Sequence, residues 1–333
     1  MSIVYVSEPK VKLSVDSNRM VIEYPDGMKK FVPIETLDGV TLLGNPQMTT
    51  QFVENCLTRG IQVSFFSKGG KYFGRLISTG HVKAELQRQQ SKLYFTDFSL
   101  NLAKRVIKAK VRNQSVLLRR YSRNTDYDPS KNIENMRYSE DKIDNADSVE
   151  SIMGYEGIAA KEYFAGLSRC VDPDFKFNGR NRRPPRDPFN SMISLGYSIL
   201  MNELYGEIEN RGLNPYFGFI HRDAEKHPTL ASDMMEEWRA VIVDSTVMSL
   251  INGHEVAKDQ FVMDYEEPGC YLNKDALRVL LDKIEKKMTT DVKYLTYIDY
   301  PINFRRAISF QMKKLVDAIE NEDPSLYEPL IIR

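Results

Sequence analysis

The stretch Ser148–Leu167, SVESIMGYEGIAAKEYFAGL, carries a carboxylate at a position where its spacing predicts an apolar residue. Its apolar residues recur on one stripe at helical spacing, which predicts a helix with one buried face. They are Ile152, Ala159, Ala160, Tyr163 and Leu167. Glu156 lies in the middle of this stripe, four residues after Ile152. Burying an unpaired carboxylate costs on the order of several kcal/mol, so Glu156 is either a structural acid paired with a basic side chain or a functional group beside a cation.

Helical patterns of the same kind dominate the chain after His81. Each shows apolar residues on one face, at intervals of three and four. The segments are Lys83–Gln90, Phe98–Tyr121, Ser148–Cys170, Phe189–Asn210, Leu230–Leu250, Lys274–Met288 and Phe304–Glu320. Arg123–Asp147 is polar and predicts a loop or a weak surface helix. Phe175–Pro188 is rich in Arg, Asn, Gly and Pro and predicts a connection.

The beginning of the chain predicts strands instead. Apolar runs flank Asp26-Gly27 and again Gly69-Gly70, and both dipeptides are hairpin signals, with one short helix predicted between them. Hairpins at both ends favour a small antiparallel sandwich over a parallel sheet. We therefore expect an α+β chain, in which residues 1–84 form a strand-rich domain and residues 85–333 form a larger all-α domain.

Size and composition describe an ordinary globular protein. The chain has 333 residues, of which 42% are hydrophobic and 28% are charged. We see no signal peptide and no apolar run that could span a bilayer. The three cysteines, Cys56, Cys170 and Cys270, lie far apart and lack metal-ligand spacing, so reduced thiols are the simplest interpretation. We expect a cytoplasmic protein without a membrane partner.

The charge is unevenly distributed although the net charge is zero. From Lys71 to Ser122 the chain has twelve basic and two acidic residues, which predicts a local anion-binding face. The basic side of the predicted helix carries Lys104, Lys108, Arg112 and Arg119, with Arg105 and Arg120 beside them. Such a stripe suits a helix that lies along a phosphate backbone, although a solvated face is the alternative.

A second group of acids lies in the segment Leu230–Asp244. Its apolar residues form one stripe, and Asp233, Glu236 and Glu237 fall together on the opposite face. Three carboxylates at this spacing repel one another unless a cation is bound. The pattern is that of a solvated acidic face or of a carboxylate platform for a divalent cation.

His221 ends the turn-rich segment that precedes these acids. It is a candidate metal ligand or general base, or an ordinary hydrogen-bonded histidine. Two carboxylates and one imidazole favour Mg²⁺ or Mn²⁺ over Zn²⁺, because no thiolate is near in sequence. Sites of this kind catalyse phosphoryl transfer. No Walker loop is present, so the phosphate would belong to a nucleic acid.

Three motifs resemble those of one known family. MGYEG at 153–157 looks like its Gly-x-Glu-Gly signature, and GFIH at 218–221 looks like its histidine motif. LASDMMEEWR at 230–239 is similar to its Leu-x-x-Asp-Leu-Met-Glu-x-Phe-Arg motif. The order and spacing resemble the CRISPR-associated Cas-one family, the integrase of spacer acquisition. Ala240 departs from the proline that many members have there, and the RPPRDP run at 183–188 looks closest to the type I-C branch.

The resemblance implies a strand-rich domain that dimerises and a helical catalytic domain. It implies Glu156, His221 and Glu236 as the metal ligands, with Asp233 beside the metal as a fourth catalytic residue. In this family a 3′-hydroxyl of a short DNA fragment attacks a phosphodiester at the edge of a CRISPR repeat. Double-stranded DNA, a second copy of the chain and a small Cas-two-like protein are the implied partners.

The basic helix and the arginine-rich loop would then hold the DNA backbone. The expected contacts are Arg75, Arg88, Lys104, Lys108, Arg112, Arg183 and Arg239. Two other functions stay open at this point. A general metal-dependent nuclease could use the same ligands without joining DNA, and a non-catalytic DNA-binding protein could use the basic face alone.

Overall fold

The computed structural model describes residues 2–68, 70–182, 184–264 and 269–333. The chain forms two compact units, one up to Val82 and one from Lys83 onward. The first unit is rich in strands and the second in helices, which confirms the expected α+β class and the order of its parts.

The strand-rich unit contains two four-stranded sheets and one helix. Its elements are β1 (Ser2–Val6), β2 (Lys12–Asp16), β3 (Arg19–Glu23), β4 (Lys29–Pro33), β5 (Leu37–Leu43), β6 (Gln47–Met48), α1 (Thr50–Arg59), β7 (Gln62–Phe66) and β8 (Tyr72–Leu76). The strand orders are β1-β5-β7-β8 and β4-β3-β2-β6. Both sheets and α1 contribute to one core, which includes Leu13, Leu42, Phe52 and Val63.

The prediction of purely antiparallel sheets is wrong for part of this unit. β1 pairs with β5 and β5 pairs with β7 in parallel, while the β3–β4 and β7–β8 hairpins are antiparallel. Because α1 connects β5 to β7, the chain returns in the same direction, as a βαβ crossover requires. Gly27 turns the first hairpin with φ +83°; of the second predicted hairpin dipeptide, Gly69 lies outside the described residues.

The second unit is mainly helical. Its helices are α2 (Ala84–Leu93), α3 (Asp97–Ser122), α4 (Ser130–Asp144), α5 (Val149–Leu167), α6 (Pro188–Asn210), α7 (Thr229–Met235), α8 (Ser245–Asn252), α9 (Lys274–Met288) and α10 (Phe304–Glu320). Two short ladders add the strands β9 (Phe261–Asp264), β10 (Gly269–Leu272), β11 (Asp291–Val292) and β12 (Ile302–Asn303). Arg123–Asp147, with its polar sequence, contains α4, which buries Ile133, Met136 and Ile143 on one face.

Side-chain caps set where the helices around the site begin. The Ser148 hydroxyl accepts a hydrogen bond from the Ser151 N–H at the start of α5, and Asp187 accepts one from the Asn190 N–H at the start of α6. Capping residues of this kind satisfy N–H groups that have no partner within the helix. Pro188 follows Asp187 at the first helical position, where a missing N–H is harmless. The local sequence therefore fixes where these two helices begin.

The helix predicted over Leu230–Leu250 is interrupted. α7 ends at Met235, a turn covers Glu236–Trp238, a π-helical segment runs from Arg239 to Asp244, and α8 follows. Glu236 and Glu237 are buried among partners on different elements. A single continuous α-helix would place these neighbouring side chains at regular angular intervals, whereas the interruption frees them to take separate partners.

Two sequence expectations concern the chain as a whole. In the described ranges, no helix combines the length and apolar character needed to cross a membrane. Cys56, Cys170 and Cys270 are all buried free thiols. Burial raises the pKa of Cys56 and of Cys270 to about 11 in each case, which makes these thiols poor nucleophiles.

Candidate metal centre

Four elements of the helical unit bring charged side chains together. Lys110 comes from α3, Glu156 from α5, Glu236 from the end of α7, and His221 from the loop between α6 and α7. Of the three predicted ligands, Glu156 and Glu236 share one cationic partner, and His221 lies beside Glu236. The structure also adds Lys110, which the sequence analysis did not identify as part of a site.

The Lys110 ammonium lies between the two carboxylates. It forms a short ion pair with Glu156, and its Nζ lies 2.5 Å from Oε2 of Glu236. The exposed fractions are 5% for the Lys110 side chain, 14% for Glu156 and 2% for Glu236. The unpaired acid that the apolar stripe of α5 indicated therefore has a cationic partner. A buried charge requires such a partner, because desolvation alone costs several kcal/mol.

Glu236 is ionised in this environment. Burial alone would raise its pKa, but Arg239, Lys110 and His221 outweigh burial and hold the pKa at about 2. Arg239 lies one turn along the chain, and its guanidinium is 3.0 Å from Oε1 of Glu236. The carboxylate is therefore a charged oxygen donor throughout the physiological pH range.

Asp233 organises the histidine loop. Its Oδ2 accepts the main-chain N–H groups of Phe219 and Ile220 at 2.6 and 3.0 Å, and its Oδ1 accepts that of His221 at 2.9 Å. Oδ1 is also 2.7 Å from Nδ1 of His221. Because a carboxylate accepts hydrogen bonds, Nδ1 carries a proton, and in the neutral imidazole the lone pair is therefore on Nε2. Nε2 lies 3.5 Å from Oε1 of Glu236 and faces the centre. Burial lowers the pKa of His221, but Asp233 and Glu236 raise it by more.

Gly218 permits the close approach of this loop to α7. A Cβ at position 218 would lie 2.7 Å from Oδ2 of Asp233 and 2.8 Å from Cβ of Thr229. The Gly218 N–H also donates to the Thr229 hydroxyl at 3.0 Å. A side chain at position 218 would therefore clash with Asp233 and Thr229, so this position of the GFIH motif requires glycine. Gly154, beside Glu156 in α5, has no atom within 4 Å of its virtual Cβ, so packing does not require a glycine there.

The donor set fits a divalent cation in its chemistry. Two carboxylates and an imidazole nitrogen suit Mg²⁺ or Mn²⁺, and a histidine oriented by a second carboxylate is typical of metal sites. Yet nowhere in residues 2–68, 70–182, 184–264 and 269–333 do three His, Cys, Asp or Glu side chains form a group that could chelate a metal. The cation between Glu156 and Glu236 is the Lys110 ammonium. The centre thus attracts a cation, and Lys110 takes that position.

A buried tyrosine–aspartate network adjoins the centre through Arg239. The Arg239 guanidinium stacks 4.9 Å above the ring of Tyr197, whose hydroxyl donates to Asp244 at 2.6 Å. The Tyr163 hydroxyl donates to the other oxygen of Asp244 at 2.8 Å. Burial raises the pKa of Asp244 to about 6, although both tyrosines and the nearby Arg180 and Arg239 oppose the shift. Tyr163 had been interpreted only as a core residue.

The acidic platform predicted on α7 does not exist as one face. Asp233, Glu236 and Glu237 are all buried and point to different partners. Glu237 accepts hydrogen bonds from the Tyr327 hydroxyl at 2.6 Å, from Gln311 at 3.1 Å and from the Leu330 N–H at 2.7 Å. It therefore binds the C-terminal segment and contributes nothing to the centre. Because the segment that carries these acids is buried on every side, its apolar stripe does not predict that the opposite side is exposed to solvent.

The basic stripe of α3 is partly neutralised by α4. Lys108 lies 2.6 Å from a carboxylate oxygen of Asp144, Arg112 forms a short ion pair with Glu140, and the Lys104 ammonium donates to the Asp144 carbonyl at 3.0 Å. Counting charge along the sequence missed these acids, because they lie on a separate helix. The stripe still lines an open groove of about 690 Å³ together with Arg105 and residues of the C-terminal segment.

The other predicted DNA contacts that the structure describes lie outside the groove beside α3. Arg239 belongs to the centre itself. Arg88 is exposed on α2, and Arg75 lies on β8 in the strand-rich unit, where it donates to the Tyr72 hydroxyl at 3.2 Å. Arg183 lies outside the described residues. In the same loop, Arg180 donates to Asn190 at 2.7 Å and to Ser194 at 3.0 Å, so it is a structural residue.

A signal for Lys110 was available in the sequence. It lies three residues after Ile107 and four after Val106, on the apolar side of α3. That is the same pattern that singled out Glu156 in α5. Two opposite charges on the buried faces of two helices indicate a pair, because neither is stable in the core alone.

Comparison with known proteins finds this fold in solved structures and finds relatives of this sequence. A casposase bound to an integration product superposes with a TM-score of 0.86 at 22% identity, over 100% of this chain and 96% of that one. A Cas6-RT-Cas1--Cas2 complex gives 0.82 at 23% identity, over 98% of this chain and 36% of the longer one. The CRISPR-associated endonuclease Cas1 of Mycobacterium tuberculosis is 36% identical over 324 residues, which are 96% of this chain and 95% of the relative.

The curated relatives, which are named as endonucleases, define a nuclease class of enzyme. The family model described as CRISPR associated protein Cas1 matches residues 4–286. The chain therefore belongs to the Cas1 family, as the three motifs indicated. The resemblance to the type I-C branch stays a prediction.

Proposed function

We propose that this chain is a metal-dependent DNA integrase of CRISPR adaptation. In this reaction the 3′-hydroxyl of a short DNA fragment loses its proton as its oxygen forms a bond to a phosphorus atom of a CRISPR repeat. The bond from that phosphorus to the 3′-oxygen of the repeat strand breaks, and this leaving oxygen takes up a proton. One phosphodiester replaces another, so the joining needs no nucleotide cofactor.

The observation that carries the proposal is that Glu156 and Glu236 meet at one buried cation position, with Nε2 of His221 lying 3.5 Å from Oε1 of Glu236. The three residues come from separate elements and match the three family motifs. We assign them as ligands of Mg²⁺ or Mn²⁺, and a cation held there would neutralise charge that develops on the phosphate in the transition state. Asp233 holds His221 in the tautomer that leaves Nε2 available.

Arg239 is a further functional candidate in this arrangement. Its guanidinium contacts Oε1 of Glu236 and stacks on Tyr197, so its position is fixed from two sides. A fixed guanidinium beside the ligands suits contact with a phosphate oxygen. We propose that Lys104, Lys108 and Arg112 hold the DNA backbone along the groove beside α3. Contacts of this type give affinity without sequence information.

Two protein partners belong to the proposal. A Cas2-like protein is supported by the structural likeness to a complex whose name includes Cas1 and Cas2. A homodimer through the strand-rich unit is supported by the exposed apolar side chains Phe73 and Phe31, which are 62% and 47% exposed on the edge strands β8 and β4. Exposed apolar groups on sheet edges are typical of interfaces. Sedimentation of Phe73→Ser against the unaltered chain tests the dimer.

A strand-transfer assay tests the proposed reaction. The purified chain, with and without a Cas2-like partner, is mixed with short 3′-hydroxyl duplexes and a repeat-bearing plasmid in Mg²⁺, Mn²⁺ or EDTA. We expect metal-dependent joining that Glu156→Gln abolishes. Glu150→Gln is the matched control, because Glu150 lies on the same helix with its side chain 65% exposed and should leave joining intact.

Other outcomes would favour the alternative functions. Metal-dependent cleavage without joining would indicate a general nuclease, a reading that the names of the curated relatives as endonucleases support. DNA binding that is independent of metal, with neither cleavage nor joining, would indicate a non-catalytic DNA-binding protein. Equal joining by Glu156→Gln and the unaltered chain would remove the site assignment.

A further inference from the structure

Lys110 is buried at the proposed metal centre, where it is not one of the proposed metal ligands. Its side chain leaves the apolar side of α3, which is otherwise lined by residues such as Val106, Ile107 and Val111. With 5% of its surface exposed, it is the most enclosed cation at the centre, and its ammonium contacts both carboxylates assigned as ligands. A surface lysine that happened to reach an acid would not be buried in this way.

The charges at the centre require a cation at this position. Glu156 and Glu236 carry two negative charges, and Arg239 contacts only Oε1 of Glu236. Without Lys110, Glu156 would have no cationic contact within ion-pair distance in the described part of the chain. Two close buried carboxylates repel each other strongly in a medium of low dielectric constant. The Lys110 ammonium, which pairs with both carboxylates, offsets this repulsion.

A divalent cation and an ammonium cannot share the same carboxylate oxygens. Both carry positive charge, and both would have to lie within a few ångströms of the same donors, where their repulsion is large. The lysine side chain is a flexible four-carbon stem that ends in a point charge, so it can withdraw without a change in the backbone. Arg239 lacks this freedom because it is stacked on Tyr197.

We propose that Lys110 is a built-in counter-cation, which occupies the position between Glu156 and Glu236 in the metal-free chain and withdraws from at least one of them when a divalent cation binds. This inference rests on the proposed metal centre and adds a property to it. Lys110 stabilises the metal-free fold and lowers the apparent metal affinity, because binding must displace it. The two states compete for the same carboxylates, so the coupling is reciprocal.

Binding of Mn²⁺ to the EDTA-treated, dialysed full-length chain tests the inference without a measurement of activity. Isothermal titration with Mn²⁺ alone is carried out on the unaltered chain and on Lys110→Met, which keeps the apolar stem and removes the charge. We expect Lys110→Met to bind Mn²⁺ roughly tenfold more tightly or better. Its Tm without metal should be lower than that of the unaltered chain, and Mn²⁺ should raise it by more.

Two further variants make the test specific. Lys110→Arg keeps the charge and offers a rigid fork to the two carboxylates, so it should fold without metal and bind Mn²⁺ no more tightly than the unaltered chain. It keeps the test decisive if Lys110→Met fails to fold. Lys283→Met is the matched control, because Lys283 pairs with Glu255 away from the ligands; its Mn²⁺ affinity should be unchanged.

The outcomes separate the inference from the metal centre on which it rests. If the unaltered chain binds Mn²⁺ and Glu156→Gln does not, the centre stands. An unchanged or weaker Mn²⁺ affinity of Lys110→Met would then overturn the counter-cation role alone, as would tighter binding by Lys110→Arg. If neither the unaltered chain nor Lys110→Met binds Mn²⁺, both proposals are wrong.

Discussion

Oδ1 of Asp233 lies 2.7 Å from Nδ1 of His221, and the same carboxylate accepts three consecutive main-chain N–H groups from Phe219 to His221. One buried acid therefore fixes both the path of the histidine loop and the tautomer of its imidazole. Asp233 is 0% exposed. Its role is to position His221, because its two oxygens accept hydrogen bonds from the histidine loop.

The first prediction concerns Asp233→Asn. The amide can replace only one of the two acceptor oxygens, so at least one buried N–H of the loop loses its partner. We expect a loss of about 1–3 kcal/mol in the free energy of unfolding and a weakening of Mn²⁺ binding by roughly 10–100-fold. Urea unfolding and calorimetry measure the two effects. Asp223→Asn, at an exposed position of the same loop, should change neither.

His221→Ala separates the ligand from the acid that positions it. We expect this variant to lose Mn²⁺ binding with a smaller change in stability than Asp233→Asn, because the three main-chain hydrogen bonds to Asp233 remain. If His221→Ala were the less stable of the two, the assignment of Asp233 as the organiser of the loop would be wrong.

The second prediction compares two motif glycines. Gly218→Ala would bring a methyl group within 2.7 Å of Oδ2 of Asp233, so the loop must shift and strand transfer should fall at least about tenfold. Gly154→Ala meets open space in the middle of a helix and should raise the free energy of unfolding by about 0.5–1 kcal/mol. Thermal unfolding and the joining assay check both; a destabilised Gly154→Ala would contradict the geometry.

The third prediction concerns the groove beside α3. Because Asp144 pairs with Lys108, Asp144→Asn should free one positive charge for phosphate, raise DNA affinity at low salt and make the salt dependence steeper by about one unit of slope. Lys108→Glu should weaken binding and flatten the slope. Fluorescence anisotropy with a short duplex at several salt concentrations measures both. Identical slopes for all three proteins would show that this face is merely solvated.

The fourth prediction is a pH dependence that originates at Glu237. Burial raises the pKa of this carboxyl to about 7 from its ordinary 4.5, although hydrogen bonds from Tyr327 and Gln311 oppose the shift. The folded chain therefore holds a proton that the unfolded chain releases above pH 4.5. The contribution of Glu237 to the free energy of unfolding is therefore fully present below pH 4.5. It falls as the pH rises towards 7, by about 3 kcal/mol in total.

Glu237→Gln should remove that dependence, because the neutral amide resembles the protonated acid. Urea unfolding from pH 4.5 to 8 should give a flatter curve for the variant, with the largest gain over the unaltered chain at the highest pH. Glu320→Gln, at an exposed position near the end of α10, is the control and should follow the unaltered chain. Parallel curves for Glu237→Gln and the unaltered chain would contradict the assignment.

Much of the fold could be predicted because it depends on local spacing. The boundaries of α3, α9 and α10 agree with the apolar periodicity to within a residue or so. β5 escaped the prediction because it is a central parallel strand, buried on both faces, whose sequence LDGVTLL does not alternate. The parallel pairing of β5 with β7 follows from the crossover through α1. Hairpin signals in the sequence predict only antiparallel pairs, so they did not indicate it.

By itself, the sequence determined the family and the order of a strand-rich and a helical unit, because motif residues and helical periods are local properties of the chain. It also predicted Glu156, His221 and Glu236 as a functional set. Only the tertiary structure decided what each charge meets. It placed Lys110 between Glu156 and Glu236, hydrogen-bonded Glu237 to the C-terminal segment and paired Lys108 with Asp144 of α4. These contacts join residues 36 to 126 positions apart, and electrostatic energy depends on distance in space and on burial, neither of which a linear pattern records.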